Sequence, residues 1–353
     1  MNDVRRILIA RFGAMGDLLL STPTIRALKR RFPRAEISYI VGKGLGDMLR
    51  GHPDLAEVIE FDKRADARPA PLLAFCRQLR AKRFDVYVNL QRSVKTVIFG
   101  LASGAPVRLV YRRDHSLQPG SGRMLHSVDN FLRTVAPLGI DPAQCDRHLD
   151  YHVPDAAHEH VAQLLQQHGI GDGVPLVLVN PGASAVSRQW PVDSLARLLD
   201  LLVAQRSDLR VALIGGRGDD QQIAQQTLAR MARPQAVLDL VAAVNLKQTG
   251  ALLQRADVMV TMDTGPMHIA AAVGTPLVGL FGATSPDRTG PAPPPPRSRG
   301  VVPLALVHRD GLDCVPCQAR ACKRGDVACL AGQQPQAVLA AIETQLRQPT
   351  KRA

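Results

Sequence analysis

The amino-acid sequence alternates between short apolar runs and longer segments whose apolar residues recur at helical spacing. The run RILIARF is of strand length, the turn GAMGD follows it, and LLLSTPTIRALKRRF is predicted to form one helix. The alternation continues through EISYIVG, the short helix GLGDMLRG, EVIEFD, PAPLLAFCRQLRAKR and DVYVNL. Residues 92–133 are less regular, although APVRLVY predicts a strand and SVDNFLRTVAPLG a helix. Strands that alternate with helices predict a parallel sheet covered by helices.

The alternation begins again after Pro154, so the sequence predicts a second unit of the same kind. Strands are predicted in PLVLVN, RVALIGG, AVLDLV, DVMVTMD and PLVGLFG, with helices between them, a loop over SPDRTGPAPPPPRSRG and a closing helix from Pro335 to about Arg347. We therefore predict an α/β protein with a domain over residues 1–170 and another over 171–353. Two successive open α/β units predict a ligand cleft near the carboxyl ends of both sheets.

Composition is ordinary for a folded protein and excludes wholesale disorder. The chain has 353 residues, of which 46% are hydrophobic and 21% charged. No apolar run approaches the ~18 residues that a spanning helix needs, and the start MNDVRRILIARFG has a short apolar run where a signal peptide needs ~7 residues or more. These features predict a cytoplasmic protein.

Charge is concentrated in the first half of the chain. The net charge is +13, and residues 1–150 hold 25 basic and 15 acidic residues. A basic half predicts an anionic partner, which is a nucleic acid, an anionic membrane surface or a phosphorylated substrate, unless it serves only as a soluble surface. Nucleic-acid binding modules interleave basic residues with exposed aromatics, and aromatics are only 4% here, so we expect no nucleic acid.

Four of the six cysteines fall in one short segment with the spacing C-x2-C-x4-C-x6-C: Cys314, Cys317, Cys322 and Cys329. Only one half of this pattern is a C-x-x-C knuckle, so it is not a standard zinc ribbon. A structural metal, a disulfide pair and reduced packing cysteines remain alternatives, although a reducing cytoplasm disfavours disulfides. We predict no metal ligand among them.

Asp17 is the first candidate for chemistry. It closes the turn Gly13-Ala14-Met15-Gly16-Asp17, at the mouth of the first predicted helix. A carboxylate there serves as a general base, as a metal ligand, or as an N-cap that satisfies helix N–H groups. The turn lacks the full G-x-G-x-x-G spacing of dinucleotide-binding proteins.

A second candidate site begins at Asp263, directly after an apolar strand. Thr264 is suited to cap a helix that starts at Gly265 and Pro266, and His268 falls on its first turn. Such a helix start binds phosphate well, although a capped structural helix is the alternative.

Two further loops leave predicted strands. Arg188 lies in the loop after Asn180, where its guanidinium is able to hold phosphate oxygens and to neutralise a diphosphate leaving group, or else it is a surface residue beside Trp190. Asp219 lies in the next loop, within reach of a base or a ribose.

Three segments together resemble the ADP-heptose:lipopolysaccharide heptosyltransferases of glycosyltransferase family 9. They are ILIARFGAMGDLLLSTPTIRALKRRFP, NPGASAVSRQWP and ADVMVTMDTGPMHIAAAVGTPLVGLFGATSP, in the order and spacing of that family. The resemblance covers nearly the whole chain. It implies a GT-B architecture, in which two Rossmann-like domains bind the acceptor and the nucleotide sugar and catalysis takes place between them.

Site residues follow from the resemblance position by position. Asp17 matches the catalytic base and Arg188 the basic residue on the diphosphate, so both are predicted to be catalytic. Donor-binding positions are matched by Ser184, Arg188, Asp219, Val244, Asp263, Thr264, Gly265 and His268, although Asp219 and Val244 stand where the family has Glu and Met. Carboxylates and phosphates of the lipopolysaccharide acceptor would suit the basic residues Lys63, Arg64, Arg92, Lys95, Arg112, Arg113 and Arg123.

The resemblance thus implies an inverting heptosyltransferase that uses ADP-heptose as donor and the lipopolysaccharide inner core as acceptor. No acidic pair such as D-x-D is evident, so we expect activity without a metal and no cofactor. The basic half would also hold the protein at the cytoplasmic face of the anionic inner membrane. The alternatives are a family 9 enzyme with another nucleotide sugar or glycan acceptor, and a non-catalytic basic protein that binds nucleic acid or membranes.

Overall fold

The protein divides into two compact units, Met1–His152 and Val153–Ala353. The computed structural model describes residues 4–66, 68–112, 124–296, 298, 300 and 302–348. The division precedes the boundary that the sequence predicted after residue 170. Helix Asp155–Gln167 packs against helix Leu246–Arg255 of the second unit, and its buried residues Val161 and Leu165 give it an apolar face to bury there. Residues 153–170 are therefore part of the second unit.

A parallel sheet forms the centre of the first unit. In the described part of this unit the strand order is β3-β2-β1-β4-β5, and each neighbouring pair is parallel. The strands are β1 (Arg6–Ala10), β2 (Glu36–Gly42), β3 (Glu57–Phe61), β4 (Val86–Asn89) and β5 (Val107–Val110). The helices are α1 (Met15–Leu20), α2 (Thr22–Arg31), α3 (Pro69–Ala81), α4 (Val94–Ser103) and α5 (Ser127–Val135), with 3₁₀ turns at Gly46–Met48, Ala136–Leu138 and Pro142–Gln144.

Two features of the first unit differ from the sequence prediction. The single helix predicted after the first turn is two helices, α1 and α2, separated at Ser21, whose hydroxyl donates to the Leu18 carbonyl. Pro23 then occupies the first turn of α2, where its missing N–H costs nothing. Helix α4 was not predicted, because apolar residues lie on its outer face as well as its inner face and leave no amphipathic period.

Aromatic side chains attach α3 and α4 to this sheet. Phe61 at the end of β3 contacts Phe12, Phe75 and Phe99, with ring centroids 5.5, 5.0 and 4.9 Å away. Phe99 is fully buried, and Phe75 and Phe99 themselves lie 4.9 Å apart. The inner faces of α3 and α4 therefore share one aromatic core at the carboxyl end of the sheet.

The second unit contains a larger parallel sheet of the same class. Its order in the described residues is β11-β10-β9-β6-β7-β8, again with parallel neighbours. The strands are β6 (Leu176–Val179), β7 (Arg210–Leu213), β8 (Val237–Asp239), β9 (Val258–Met262), β10 (Leu277–Phe281) and β11 (Leu304–Val307). The helices are α6 (Asp155–Gln167), α7 (Val192–Gln205), α8 (Asp219–Leu228), α9 (Leu246–Arg255), α10 (Gly265–Val273), α11 (Pro286–Thr289), α12 (Ala328–Ala331) and α13 (Pro335–Leu346), with 3₁₀ turns at Val186–Arg188 and Pro234–Ala236.

The sequence predicted most of these elements but not those between β10 and α13. Residues 286–289 form the short helix α11 within the predicted loop, and β11 and α12 follow without a sequence prediction. Strand β11 is a four-residue edge strand that follows the proline-rich loop, where the alternation of strands and helices is interrupted. The two-unit α/β class is confirmed. No helix within the described ranges has the length and apolar character needed to cross a membrane.

Candidate active site

Asp17 lies in the first turn of α1, and its carboxylate is held by a partly buried arginine. Arg11, which follows β1, donates through Nη2 to Oδ2 of Asp17 and through Nη1 to the Leu90 carbonyl after β4. The guanidinium also lies 4.9 Å from the ring centroid of Phe131. The side chain of Arg11 is only 11% exposed and that of Asp17 is 33% exposed. A cation fixed on three sides therefore orients a carboxylate that solvent still reaches.

The interpretation of Asp17 as a helix cap is wrong. The N-cap of α1 is Ala14, which makes no side-chain capping bond, and Asp17 is the third residue of the helix. Gly13, which precedes Ala14, has a φ of +138°. A Cβ on this glycine would lie 2.9 Å from Cδ1 of Leu45. Glycine is therefore required at this position for the turn that presents Asp17.

Tyr39, on the neighbouring strand β2, is a second side chain near Asp17 that could exchange a proton. Its hydroxyl lies 2.8 Å from Oγ of Ser21, and burial raises the pKa of Tyr39 to about 12. Tyr39 therefore stays protonated near neutral pH and is unsuited to accept a proton. This leaves Asp17 as the better candidate for a general base.

The predicted acceptor-binding residues in the described range follow the carboxyl ends of three strands in one sheet. Lys63 and Arg64 follow β3, Arg92 follows β4 and Arg112 follows β5. Lys95, in the first turn of α4, donates to the Lys63 carbonyl at 3.0 Å. Parallel strands end at one edge, so these cations share the edge that carries Asp17. Arg113 and Arg123 lie outside the described residues.

Asn180 organises the corresponding edge of the second unit. It follows the central strand β6 and is 2% exposed. Its Nδ2 donates to the Ile214 carbonyl at 3.0 Å, and its Oδ1 accepts from the hydroxyls of Thr261 and Thr264, each at 3.3 Å. Asn180 therefore connects the ends of β6, β7 and β9, from which the loops of the candidate site depart.

Replacement of Asn180 by Ala is expected to lower the free energy of unfolding by about 1–3 kcal/mol, because buried partners on two strands lose their hydrogen bonds. Urea unfolding followed by tryptophan fluorescence of Trp190, which is buried in the same unit, measures the loss. Asn245→Ala, at an exposed helix cap, is the control for a local effect. A loss for Asn180→Ala no larger than that of the control would contradict the connecting role.

Asp263 follows β9 and is the centre of the charged groups at this edge. It is 6% exposed, and its Oδ2 lies 3.6 Å from Nη1 of Arg188 and accepts from the Thr289 hydroxyl at 3.1 Å. Nε2 of His268 lies 4.0 Å from Oδ1. The structure thus brings Arg188 close to Asp263 and His268, which the sequence placed in a different motif. Thr289 was missed because its helix, α11, was predicted as loop.

Thr264 occupies the N-cap position of α10 but does not use its side chain as a cap. Its hydroxyl bonds Asn180 and lies 3.0 Å from the hydroxyl of Thr261, and no side-chain capping bond to the helix is present. Thr264 is therefore the N-cap residue of α10, but the prediction that its side chain caps the helix is wrong. Gly265 begins α10 and Pro266 follows it, so a helix N-terminus with its partial positive charge lies next to Arg188 and Asp263.

A contact distant in sequence holds the loop that carries Arg188. The hydroxyl of Ser187, which is 1% exposed, donates to the Ala319 carbonyl at 2.6 Å. Gln189 on the other side donates to the Pro181 carbonyl at 2.6 Å. The Nε of Arg188 is buried and has no hydrogen-bond partner among the described residues, although its side chain is 27% exposed overall. The exposed part of the guanidinium is therefore the part that an anion is able to reach.

Asp219, a predicted donor contact, and its neighbour Asp220 differ in their surroundings. Asp219 is exposed at the start of α8, whereas Oδ2 of Asp220 accepts from the Gly216 N–H at 2.7 Å. A Cβ on Gly182 would lie 1.7 Å from Oδ1 of Asp220, so this carboxylate fills the space that the glycine leaves. Burial raises the pKa of Asp220. The sequence analysis did not predict this contact between Asp220 and the space beside Gly182.

The two remaining predicted donor positions lie in loops at the same end of this sheet. Ser184 is exposed in the loop after β6. Val244 is half-buried just before α9, whose N-cap is Asn245. Both stay predictions as contacts of a nucleotide.

The cysteine segment contains free thiols. All six cysteines of the chain are free, and burial raises the pKa of Cys329. Backbone N–H groups, that of Val327 foremost, lower the pKa of Cys322. No cluster of three or more His, Cys, Asp or Glu side chains in the described part of the chain is arranged to hold a metal ion. The segment instead contacts the loop of Arg188 through Ala319.

The chain is similar to known glycosyltransferases in sequence and in structure. The model of glycosyltransferase family 9 (heptosyltransferase) matches residues 72–324. Lipopolysaccharide heptosyltransferase 3 of Escherichia coli is 28% identical over 283 residues, which cover 76% of this chain and 81% of the relative. The family 9 glycosyltransferase from Veillonella parvula has a TM-score of 0.79 at 22% identity and covers 98% of both chains.

A second solved structure extends the likeness of fold. The E. coli ADP-heptose LPS heptosyltransferase II has a TM-score of 0.75 at 23% identity, over 97% of this chain and 98% of that one. The GT-B fold class that the resemblance implied is therefore confirmed. Because the family model covers more than half of its length, the chain belongs to glycosyltransferase family 9, and it is a glycosyltransferase.

Proposed function

We propose that this glycosyltransferase moves a heptose from ADP-heptose to the inner core of lipopolysaccharide, with inversion at the anomeric carbon and without a metal ion. The observation that carries the proposal is Arg188, which approaches Asp263 beside the N-terminus of α10 and leaves 27% of its side chain exposed to a ligand. A diphosphate presents the oxygens that suit this guanidinium and the helix end. Two of the proteins named above are heptosyltransferases, one of them an ADP-heptose enzyme.

In the proposed reaction Asp17 acts as the general base. An acceptor hydroxyl attacks the anomeric carbon of the donor, its proton passes to the Asp17 carboxylate, and the bond from that carbon to the diphosphate oxygen breaks, so that ADP leaves with the electron pair. Arg11 keeps Asp17 oriented for this transfer. The acceptor anions are proposed to bind the basic residues at the same sheet edge, among them Lys63, Lys95 and Arg92.

The proposed donor site lies on the second unit. Arg188 and the N-terminus of α10 would stabilise the charge that develops on ADP, in place of a divalent cation. Asp263 and His268 are proposed to contact the sugar or the phosphates, with Thr264 and Gly265 forming the floor of the site. Ser184 is proposed to contact the phosphates, and Asp219 and Val244 the nucleoside. The basic first half would hold the protein against the cytoplasmic face of the anionic inner membrane.

ADP release from ADP-heptose tests the proposal, with heptose-deficient core lipopolysaccharide as acceptor, in one series with EDTA and in a second with Mg²⁺ and no EDTA. We expect acceptor-dependent release of ADP at a rate that added Mg²⁺ changes by less than about twofold, because fixed cations of the protein neutralise the leaving group. UDP-sugars with the same acceptor, assayed for UDP release, are the donor control. ADP release that needs Mg²⁺ would contradict the metal-independent mechanism, and turnover of a UDP-sugar but not of ADP-heptose would contradict the donor.

A further inference from the structure

Helices α3 and α4 of the first unit present an apolar surface to solvent. Val94, Val97 and Leu101 of α4 are 77%, 51% and 62% exposed, and Leu73 of α3 is 51% exposed. The three α4 residues stand at spacings of three and four and therefore share one face of the helix. Helix α3 packs alongside α4, and Leu73 is the exposed large apolar residue that it contributes. We call these four residues the docking face.

The residues of the docking face are not the ones with which α3 and α4 pack on the sheet. The opposite face of α4 contributes Phe99 and Gly100, both buried, and Phe75 of α3 completes the aromatic core described above. Helix α4 thus has apolar residues inside and outside, whereas a surface helix ordinarily presents polar residues to water. A contiguous exposed apolar patch of this kind marks an interaction site.

Positive charge surrounds the docking face. Residues 68–112, which include both helices, contain nine Arg and Lys residues and one acidic residue, Asp85. That carboxylate already accepts the backbone N–H groups of Arg5 and Arg6, at 2.8 and 2.9 Å. Within the two helices themselves no Asp or Glu occurs. Apart from the proposed acceptor-binding residues Arg92 and Lys95, the cations on the helices or directly beside them are Arg68, Arg77, Arg80, Arg83 and Lys82, the last of which is paired with Glu57 at 2.8 Å.

We propose that the docking face inserts into an anionic lipid bilayer and that the surrounding cations bind its headgroups. Apolar side chains flanked by Lys and Arg are the pattern by which a helix lies in the membrane interface. A second copy of the chain fits less well, because an isologous contact would bring each basic margin against the same margin of its partner. The inference rests on the proposed function, which holds the basic first half at an anionic membrane, and it names the surface that makes this contact.

The geometry connects this surface with the candidate base. Helix α4 begins after β4, and its first turn contains Val94 and Lys95. Arg11, which holds Asp17, bonds to the Leu90 carbonyl at the end of the same strand. The docking face therefore begins close to the sheet edge where a lipid-anchored acceptor would meet Asp17.

Vesicle binding of the full chain, measured without donor or acceptor, tests the proposal. The vesicles are neutral phosphatidylcholine, and phosphatidylcholine mixed with phosphatidylglycerol. We expect binding to the anionic vesicles that high salt weakens, and a reduction of about tenfold in Val97→Glu through lost insertion and added repulsion. Leu101→Gln, which adds no charge, is expected to reduce binding several-fold.

Val302→Glu is the matched control, because it changes the same residue type at a comparably exposed position, 70%, of the second unit. It should bind vesicles within about twofold of the wild type. Equal binding by Val97→Glu and Val302→Glu would overturn the proposal. So would a wild-type dimer that Val97→Glu converts to a monomer with vesicle binding unchanged, since the face would then belong to a second copy.

A separate measurement distinguishes this proposal from the proposed reaction. ADP release with acceptor dispersed in detergent should be equal for the wild type and Val97→Glu, because detergent removes the need for the bilayer. With acceptor embedded in anionic vesicles, Val97→Glu should be slower by about the factor lost in binding. Failure of ADP release in both proteins would count against the reaction and would leave the vesicle measurement to decide the docking face.

Discussion

Asp17→Asn is expected to lower kcat for acceptor-dependent ADP release by about 10²–10⁴-fold, because an amide cannot take the proton from the acceptor hydroxyl. The substitution keeps the size of the side chain and an oxygen that is able to accept from Arg11. Donor affinity, measured by calorimetry with ADP, is expected to stay within about twofold, because Asp17 belongs to the first unit and the proposed nucleotide contacts to the second.

The matched control for this variant is Asp146→Asn. Asp146 is also a carboxylate of the first unit near an arginine, with Oδ2 3.7 Å from Nη1 of Arg30, but it is well exposed and far from β1 in sequence. Its kcat should equal that of the wild type. If Asp17→Asn retains full turnover, the general base must be another residue and the assignment of Asp17 fails.

Arg188→Met is expected to lower kcat/KM for the donor by about 10²–10³-fold, the usual loss when a preorganised charge donor is removed from a developing anion. The variant also leaves buried Asp263 without its nearby cation, so a folding defect has to be separated from lost catalysis. Arg188→Lys serves this purpose, because it keeps the positive charge and loses the guanidinium fork. We expect it to recover stability but only part of the activity.

Arg206→Met provides the matched control for the loss of a guanidinium in the second unit. Arg206 is paired with Asp208 through two contacts of 2.8 Å on the surface. Its kcat/KM should be unchanged. Equal kinetics for Arg188→Met and Arg206→Met, in proteins with equal thermal midpoints, would show that Arg188 does not act on the leaving group.

The periodicity of the sequence was sufficient for most of the fold because buried parallel strands are short, apolar and separated by amphipathic helices. Strands β6 and β9, both fully buried, were predicted on this basis. Helix α4 escaped prediction since a helix with apolar residues on both faces has no amphipathic period. The break at Ser21 escaped too, because the spacing of apolar residues continues across it.

In the candidate site, too, some features were predictable from the sequence and others were not. Asp17, Arg188 and Asp263 stand in short motifs directly after strands, so sequence alone placed them at sheet edges. Contacts between segments that are distant in sequence could not be predicted from such motifs. Thr289 reaches Asp263 only through the fold, and Asp220 rather than Asp219 turns toward Gly182 because the glycine leaves room for the carboxylate.

The bond from Ser187 to the Ala319 carbonyl has a consequence for the construction of hybrid enzymes. The loop that carries Arg188 takes its shape partly from a backbone carbonyl in the cysteine segment, although the two are separated by 132 positions along the chain. An exchange of either segment alone between homologous proteins would leave the Ser187 hydroxyl facing a foreign backbone. The loop of Arg188 and the cysteine segment should therefore be exchanged together when hybrid enzymes are made.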